Sequence, residues 1–271
     1  MEAEIWETWS PAPRHTVTNL FDLDGAHVLV TGASSGIGQH FATFLAKAGA
    51  QVSLAARRED ALLRTVEGIR AEGRQANSVV MDVADADSIE RGLDQAEAAC
   101  GPVTVLVNNA GVTLTRAALE IAEDEWDRVV DTNLKGAWLA AQRTARRMVR
   151  REVAGSIINI ASILGVRVAA SVAPYAVSKA AVIQMTKALA LEWARHGIRV
   201  NALAPGYIET ELNRDFFASA AGQALIKRVP QRRLGEAKEL DGALLLLASP
   251  AGSYMTGSVI TVDGGHLVSG L

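Results

Sequence analysis

The sequence predicts an α/β protein: one doubly wound parallel sheet of seven strands with helices on both faces. Two observations carry this reading. From residue 26 onward, short apolar segments alternate with longer amphipathic ones. The short segments seldom alternate in polarity, as strands buried on both faces do. Strand–helix alternation throughout calls for parallel strands with crossover helices above and below the sheet. A chain of 271 residues with 49% apolar content can bury a core of that size.

The elements follow in order. His27–Thr31 is a short apolar strand. Gly36–Lys47 is a helix stopped by Gly49, since glycine is the common helix terminator. Gln51–Ala55 is a strand, followed by a charged amphipathic helix from about Arg58 to Glu72. Asn77–Met81 is a strand, and the next helix runs to Cys100. Val103–Val107 is a strand, with a long helix after it from about Glu123 to Arg150. Ser156–Ile160 is a strand, and Tyr175–Arg195 is a helix closed by Gly197. Ile198–Leu203 is a strand. A short helix leads to a longer one at Glu236–Ala248, and Val259–Val262 is the last strand.

Residues 1–20 read as an arm ahead of the domain, with Pro11, Pro13, Trp6 and Trp9. Disorder is the default for such a segment, but two tryptophans argue for docking on the body or on a neighbouring subunit. The stretch 207–233 joins a strand to a helix by a long route, which suits a substrate lid.

Composition excludes several classes of function. The formal charge of −3, with acidic and basic residues nearly balanced, gives no basic surface for nucleic acid. No run of 18 apolar residues is present, so no membrane span is expected. Cys100 is the only cysteine, which rules out an intrachain disulfide and a cysteine zinc site; no metal is expected. The acidic N-terminus lacks an apolar leader core, so a cytoplasmic location is expected.

The first strand runs into Thr31-Gly-Ala-Ser-Ser-Gly-Ile-Gly38. Gly32, Gly36 and Gly38 permit a tight turn, and with Ser34, Ser35 and Ile37 they bring backbone close to a diphosphate. The helix opening at Gly36 offers free N–H groups and a positive dipole end. The second strand ends in Ala56-Arg57-Arg58, where a ribose-binding acid would select NAD. An arginine there pairs a 2′-phosphate, so NADP(H) is favoured over NAD(H). The competing reading makes Arg57 and Arg58 a solvated helix start neutralised by Glu59 and Asp60.

Tyr175 and Lys179 lie four residues apart, on one face of a helix. A free phenol has a pKa of about 10 and is a poor base at neutral pH. A lysine cation beside it favours the phenolate and sharpens it as a proton donor. Ser162, thirteen residues earlier, could donate to an oxygen where charge develops.

Together these residues resemble the short-chain dehydrogenase/reductase family, in its single-domain Rossmann-like branch, over about residues 21 to 268. Further matches are Asp82-Val83, Asn108-Asn109-Ala110-Gly111, Asn133, Pro205-Gly206 with Ile208 and Thr210, and Val262-Asp263-Gly264-Gly265. The arm before Phe21 is the one departure from the family pattern.

The resemblance implies hydride transfer between NADP(H) and a ketone or secondary alcohol. Tyr175 would be the general acid or base, and Lys179 would tune it and hold the nicotinamide ribose. Ser162 would hold the substrate oxygen, and Asn133 a water linking Lys179 to solvent. Asp82 and Val83 would flank adenine, although Asp82 could instead cap the helix that begins near Asp85. Asn109, Ala110 and Gly111 would line the adenine ribose. Pro205, Gly206, Ile208 and Thr210 would meet the nicotinamide. Asn108 and Asn109 could equally serve turn geometry, and Asn133 could bulge its helix.

Substrate contacts are expected from Ser162, Leu164, Tyr175, Tyr207, Phe216 and Phe217. The apolar neighbours, Ile163 and Val166 among them, tilt toward a ketone with an apolar or aryl part. The alternatives are a 3-oxoacyl-thioester reductase or a sugar or gluconate dehydrogenase. A non-catalytic NADP(H)-binding sensor or scaffold is the competing class, and the complete catalytic set argues against it. The family implies a homotetramer, or else a dimer, through the tail after Gly265.

Overall fold

Apolar side chains on both sides of each strand build the sheet in the computed structural model, which describes residues 20–210 and 213–269. In β1 (His27–Thr31), Val28 and Val30 enter one core and Leu29 the other. Val105 and Val107 against Leu106 repeat the pattern in β4 (Val105–Asn108), as do Ile158 and Ile160 against Ile157 in β5 (Gly155–Ile160). Successive strand residues point to opposite faces, so each strand feeds both layers. The other strands are β2 (Gln51–Ala56), β3 (Ala76–Val80), β6 (Ile198–Pro205) and β7 (Val259–Val262). All pairings are parallel, in the order β3-β2-β1-β4-β5-β6-β7.

One core lies under α1 (Gly36–Lys47), α2 (Glu59–Ala71) and α9 (Asp241–Ala248). The other lies under α3 (Ala86–Cys100), α5 (Gly136–Arg150) and α6 (Ala173–Trp193). Three short helices complete the chain: α4 (Glu123–Val130), α7 (Arg214–Ala218) and α8 (Ala220–Ile226). The strand order reverses between β1 and β4, so a crevice opens at the carboxyl ends of these strands.

The long helix expected over 123–150 is α4 and α5 joined through one wide π turn, Asp131–Lys135. Such bulges accommodate an extra residue, often at a functional site. Here the turn carries Asn133, whose side chain binds both backbone groups of Val112. Helix α6 begins two residues before Tyr175 because Pro174 suits a first helical turn. Strand β4 sits slightly later than expected; its end pairs Asn108 with Asn159, whose side chains also bond at 3.0 Å. Gly49 follows α1 with φ +104°, and a side chain there would strike the Asp24 carboxylate. The arm at residues 1–19 lies outside the described residues.

Candidate active site

The turn after β1 is fastened from behind by asparagine. Asn109 Nδ2 donates to the Thr31 carbonyl at 3.0 Å and the Gly32 carbonyl at 3.3 Å. Thr31 Oγ1 accepts from the Asn109 and Ala110 amides, both at 3.1 Å. Gly32 has φ +68°, and a side chain on it would run into Ala110. A side chain on Gly38 would meet Asn109 and the Gly32 carbonyl. Only glycine fits at these two positions. Ser35 gives no side-chain cap to α1, so the first-turn amides keep their donors for a ligand. Asn108 turns away, binding the Ala137 carbonyl and Asn159, and is a structural residue.

A cleft of about 670 Å³ runs along this turn. Of the expected cofactor residues, Gly32, Ser34, Ser35, Gly36, Arg57, Arg58, Asp82, Val83, Ala110, Gly111 and Thr210 line it. Gly38 and Asn109 pack behind the glycine turn, while Ile37, Pro205 and Gly206 are not among the residues that line the cleft. Ile208 is buried in the core under α1 and α9, so its side chain does not open on the cleft. Sequence reasoning missed Arg128, Asp131 and Thr132, which line the cleft from the end of α4 and the π turn. Their only signal was helical spacing around Asn133.

At the β2 end, Arg58 donates to the hydroxyls of Ser34 (3.0 Å) and Ser35 (2.8 Å). Arg57 Nη1 lies 4.0 Å from Asp82. Neither arginine pairs with Glu59 or Asp60 among the described residues, contrary to the solvated-helix reading. Two guanidinium groups and two hydroxyls at this point, with Ala56 where an acid would bind ribose, fit a 2′-phosphate. Asp82 does not cap α3: Asp85 does, accepting from the Asp87 and Ser88 amides. One Asp82 oxygen accepts from the Ala84 amide at 3.0 Å.

Past the cleft stand the four expected catalytic side chains. Ser162, at the end of β5, accepts from the Leu164 amide at 3.1 Å, and its hydroxyl favours the ionised form of the Tyr175 phenol. Lys179 is 5% exposed and donates to the Ile160 carbonyl at 2.6 Å. Its ammonium lies 5.7 Å from the centre of the Tyr175 ring. Asn133 is buried and donates to Ser178 at 3.1 Å. Ser178, unforeseen from sequence, links Asn133 to the helix that carries Tyr175, because its own hydroxyl donates to the Tyr175 carbonyl at 2.8 Å. Gly111 faces both Asn133 and Lys179, and a side chain there would crowd them.

Burial sets the electrostatics of the pair. It pushes the Tyr175 phenol above its ordinary value; the Ser162 hydroxyl pulls it down and the Tyr207 phenol adds a smaller upward push. Burial also lowers Lys179, to about 8.

Tyr207 packs edge-on against Phe217 (5.7 Å between ring centres) and at a tilt against His266 (5.2 Å). Phe217 is 5% exposed and Phe216 is 52% exposed, so only Phe216 presents an open apolar face. Ile163 is buried and Val166 is exposed. No group of histidine, cysteine, aspartate or glutamate among the described residues is arranged to hold a metal ion.

This fold, with a dinucleotide cleft leading to Tyr175 and the buried Ser162 and Lys179, defines a nicotinamide-dependent oxidoreductase. A family model described as enoyl-(acyl carrier protein) reductase matches residues 32–266. The chain is 40% identical to the gluconate 5-dehydrogenase of Gluconobacter oxydans, over 93% of this chain and 98% of that protein. It is 38% identical to the 5-keto-D-gluconate 5-reductase of Escherichia coli, over 93% of this chain and 100% of that protein. A gluconate 5-dehydrogenase from Burkholderia cenocepacia, solved in complex with NADP and tartrate, superimposes with a TM-score of 0.90 at 39% identity, covering 94% of this chain and 100% of that one. The chain belongs to the short-chain dehydrogenase/reductase family. It is an NADP(H)-dependent oxidoreductase acting on secondary alcohols and ketones.

Proposed function

We propose that Tyr175 moves the proton in this reaction and that the substrate is a polyhydroxylated ketone or its alcohol, of the sugar-acid class. The observation that carries the first part is the buried Lys179, whose ammonium lies 5.7 Å from the centre of the Tyr175 ring and bonds the Ile160 carbonyl two residues before Ser162. The glycine turn and Arg58 would hold NADPH, which would supply the hydride. Ser162 and Tyr175 both present hydroxyls to one carbonyl oxygen. Their donated hydrogen bonds stabilise negative charge as it develops there. Tyr175 then gives its proton to that oxygen, and takes it back when the alcohol is oxidised. Lys179 holds its cation in a buried place behind the phenol, and Asn133 fixes the Val112 backbone beside it.

The sugar-acid part rests on what the relatives act on and on the polar groups of Tyr207, Arg167 and His266 near the site. It displaces the apolar or aryl ketone suggested by Leu164 and the two phenylalanines. A 3-oxoacyl thioester remains the second reading, favoured by the open ring of Phe216. We further propose a cytoplasmic homotetramer, supported by Trp126 (38% exposed) and Trp138 (39% exposed) on α4 and α5. No described helix is long and apolar enough to cross a membrane.

The test follows NADPH consumption with a panel of ketones in the wild type and in Tyr175→Phe. The variant should bind NADPH as the wild type does and turn over ~10²- to 10⁴-fold more slowly. Equal rates would remove Tyr175 from the mechanism.

A further inference from the structure

One group of residues beside the substrate end has no part in the mechanism above. Arg167 lies on the loop between Ser162 and Tyr175. Its Nη1 is held by the His266 carbonyl and, at 3.3 Å, by the Ser269 hydroxyl. A guanidinium carries five N–H donors in a planar fork. The remaining nitrogens of Arg167 have no partner among the described residues. Arg228 is also without a carboxylate partner among the described residues.

The nearby carboxylate, Asp263, is already engaged. Its oxygens accept from the Gly265 amide at 2.8 Å and from the Leu267 amide. Tyr207 and His266 pack together, their ring centres 5.2 Å apart. His266 is 4% exposed, and its Nδ1 is buried with no partner among the described residues. Both arginines act on Tyr207 and His266: they draw the Tyr207 phenol down against the upward push of its burial, and they add to the lowering of His266 by burial. The Arg167 amide donates to the Ile163 carbonyl at 2.9 Å, one residue past Ser162, which places this group beside the Ser162 end of β5.

We propose that Arg167 is the carboxylate anchor of the substrate site, with Tyr207 as a neutral hydrogen-bond donor beside it. This deepens, and rests on, the reading that the chain reduces a ketone with Tyr175. The substrate is then an oxo acid, or the matching hydroxy acid. One end of the molecule meets Tyr175 and Ser162, and its carboxylate lies across the free edge of the Arg167 fork, a planar bidentate match. The C-terminal tail fixes the guanidinium by its other edge, so little rotamer freedom is lost when the acid binds.

The test compares 5-keto-D-gluconate with L-sorbose, which bears a hydroxymethyl group in place of the carboxylate, each with NADPH. The wild type should favour the acid in kcat/KM. Arg167→Gln should cost the acid about tenfold more in kcat/KM than it costs L-sorbose, with the excess in KM, and Arg167→Lys should recover part of it. Ser269→Ala, which cuts only a tail contact, should keep the wild-type preference for the acid. Equal losses for both substrates in Arg167→Gln, or a wild type that prefers L-sorbose or turns over neither, would overturn the anchor. Turnover that survives Tyr175→Phe would instead overturn the reading beneath it.

Discussion

Tyr175 is held under two opposing influences. Burial keeps the phenol protonated beyond its ordinary range, while the Ser162 hydroxyl favours the phenolate. Reduction needs the phenol and oxidation needs the phenolate. Alcohol oxidation should therefore speed up from pH 7 to 9 while ketone reduction does not; a flat oxidation profile with chemistry rate-limiting would count against Tyr175 as the base. Lys179 adds a linkage of its own. It releases its proton at about 8 in the folded protein, against 10.5 for a free lysine. Between these values the unfolded chain binds more protons, so this residue makes stability rise with pH. Lys179→Met should lose that rise, and the wild type should gain in Tm relative to the variant between pH 7 and pH 10. An unchanged difference would mean that the ammonium is not buried in solution.

Arg58 gives a third prediction at this scale. Its bonds to Ser34 and Ser35 hold the fork where a 2′-phosphate would sit. Arg58→Ala should weaken NADPH binding about tenfold or more and leave NADH binding nearly unaltered. Equal weakening of both, by fluorescence titration, would remove Arg58 from cofactor selection. The hydroxyl partners that favour Arg58 come from a different element, which spacing does not reveal.

At the scale of elements, the glycine turn is the most exacting part. Gly38 is packed so closely on Gly32 and Asn109 that any side chain must push both aside. Gly38→Ala should lower stability by about 1–3 kcal/mol, the usual cost of overpacking, and reduce NADPH affinity with it. A variant with wild-type Tm and binding would show that the turn is looser than this packing implies. This turn was legible in sequence, because a run of three glycines between a strand and a helix has few other uses. The π turn was not. Asparagine hinted at a bulge, but only the Val112 backbone, brought in from the loop after β4, gives Asn133 a reason to break the helical ladder. Helix starts moved by a residue or two for local reasons, such as Pro174.

At the scale of the whole molecule, apolar strands and alternating helices were enough to foretell seven parallel strands. They could not tell which side chains converge across distant loops. Arg167, Tyr207 and His266 come from three separate segments, and nothing in their local sequence marks them as neighbours. The same holds for Ser178, an ordinary helix residue until Asn133 is packed against it. Between the two faces, the crevice where strand order reverses gathers the cofactor residues from β1, β2 and β4 into one cleft and leads them to β5 and α6. The central claim is that this cleft ends at the Tyr175 hydroxyl. A crystal structure of the ternary complex with NADP⁺ and an alcohol substrate tests it most directly. The alcohol oxygen should lie within about 2.6–3.2 Å of both the Tyr175 and Ser162 hydroxyls, with the adenosine 2′-phosphate against Arg58. An alcohol bound away from Tyr175, or a phosphate away from Arg58, would contradict the account.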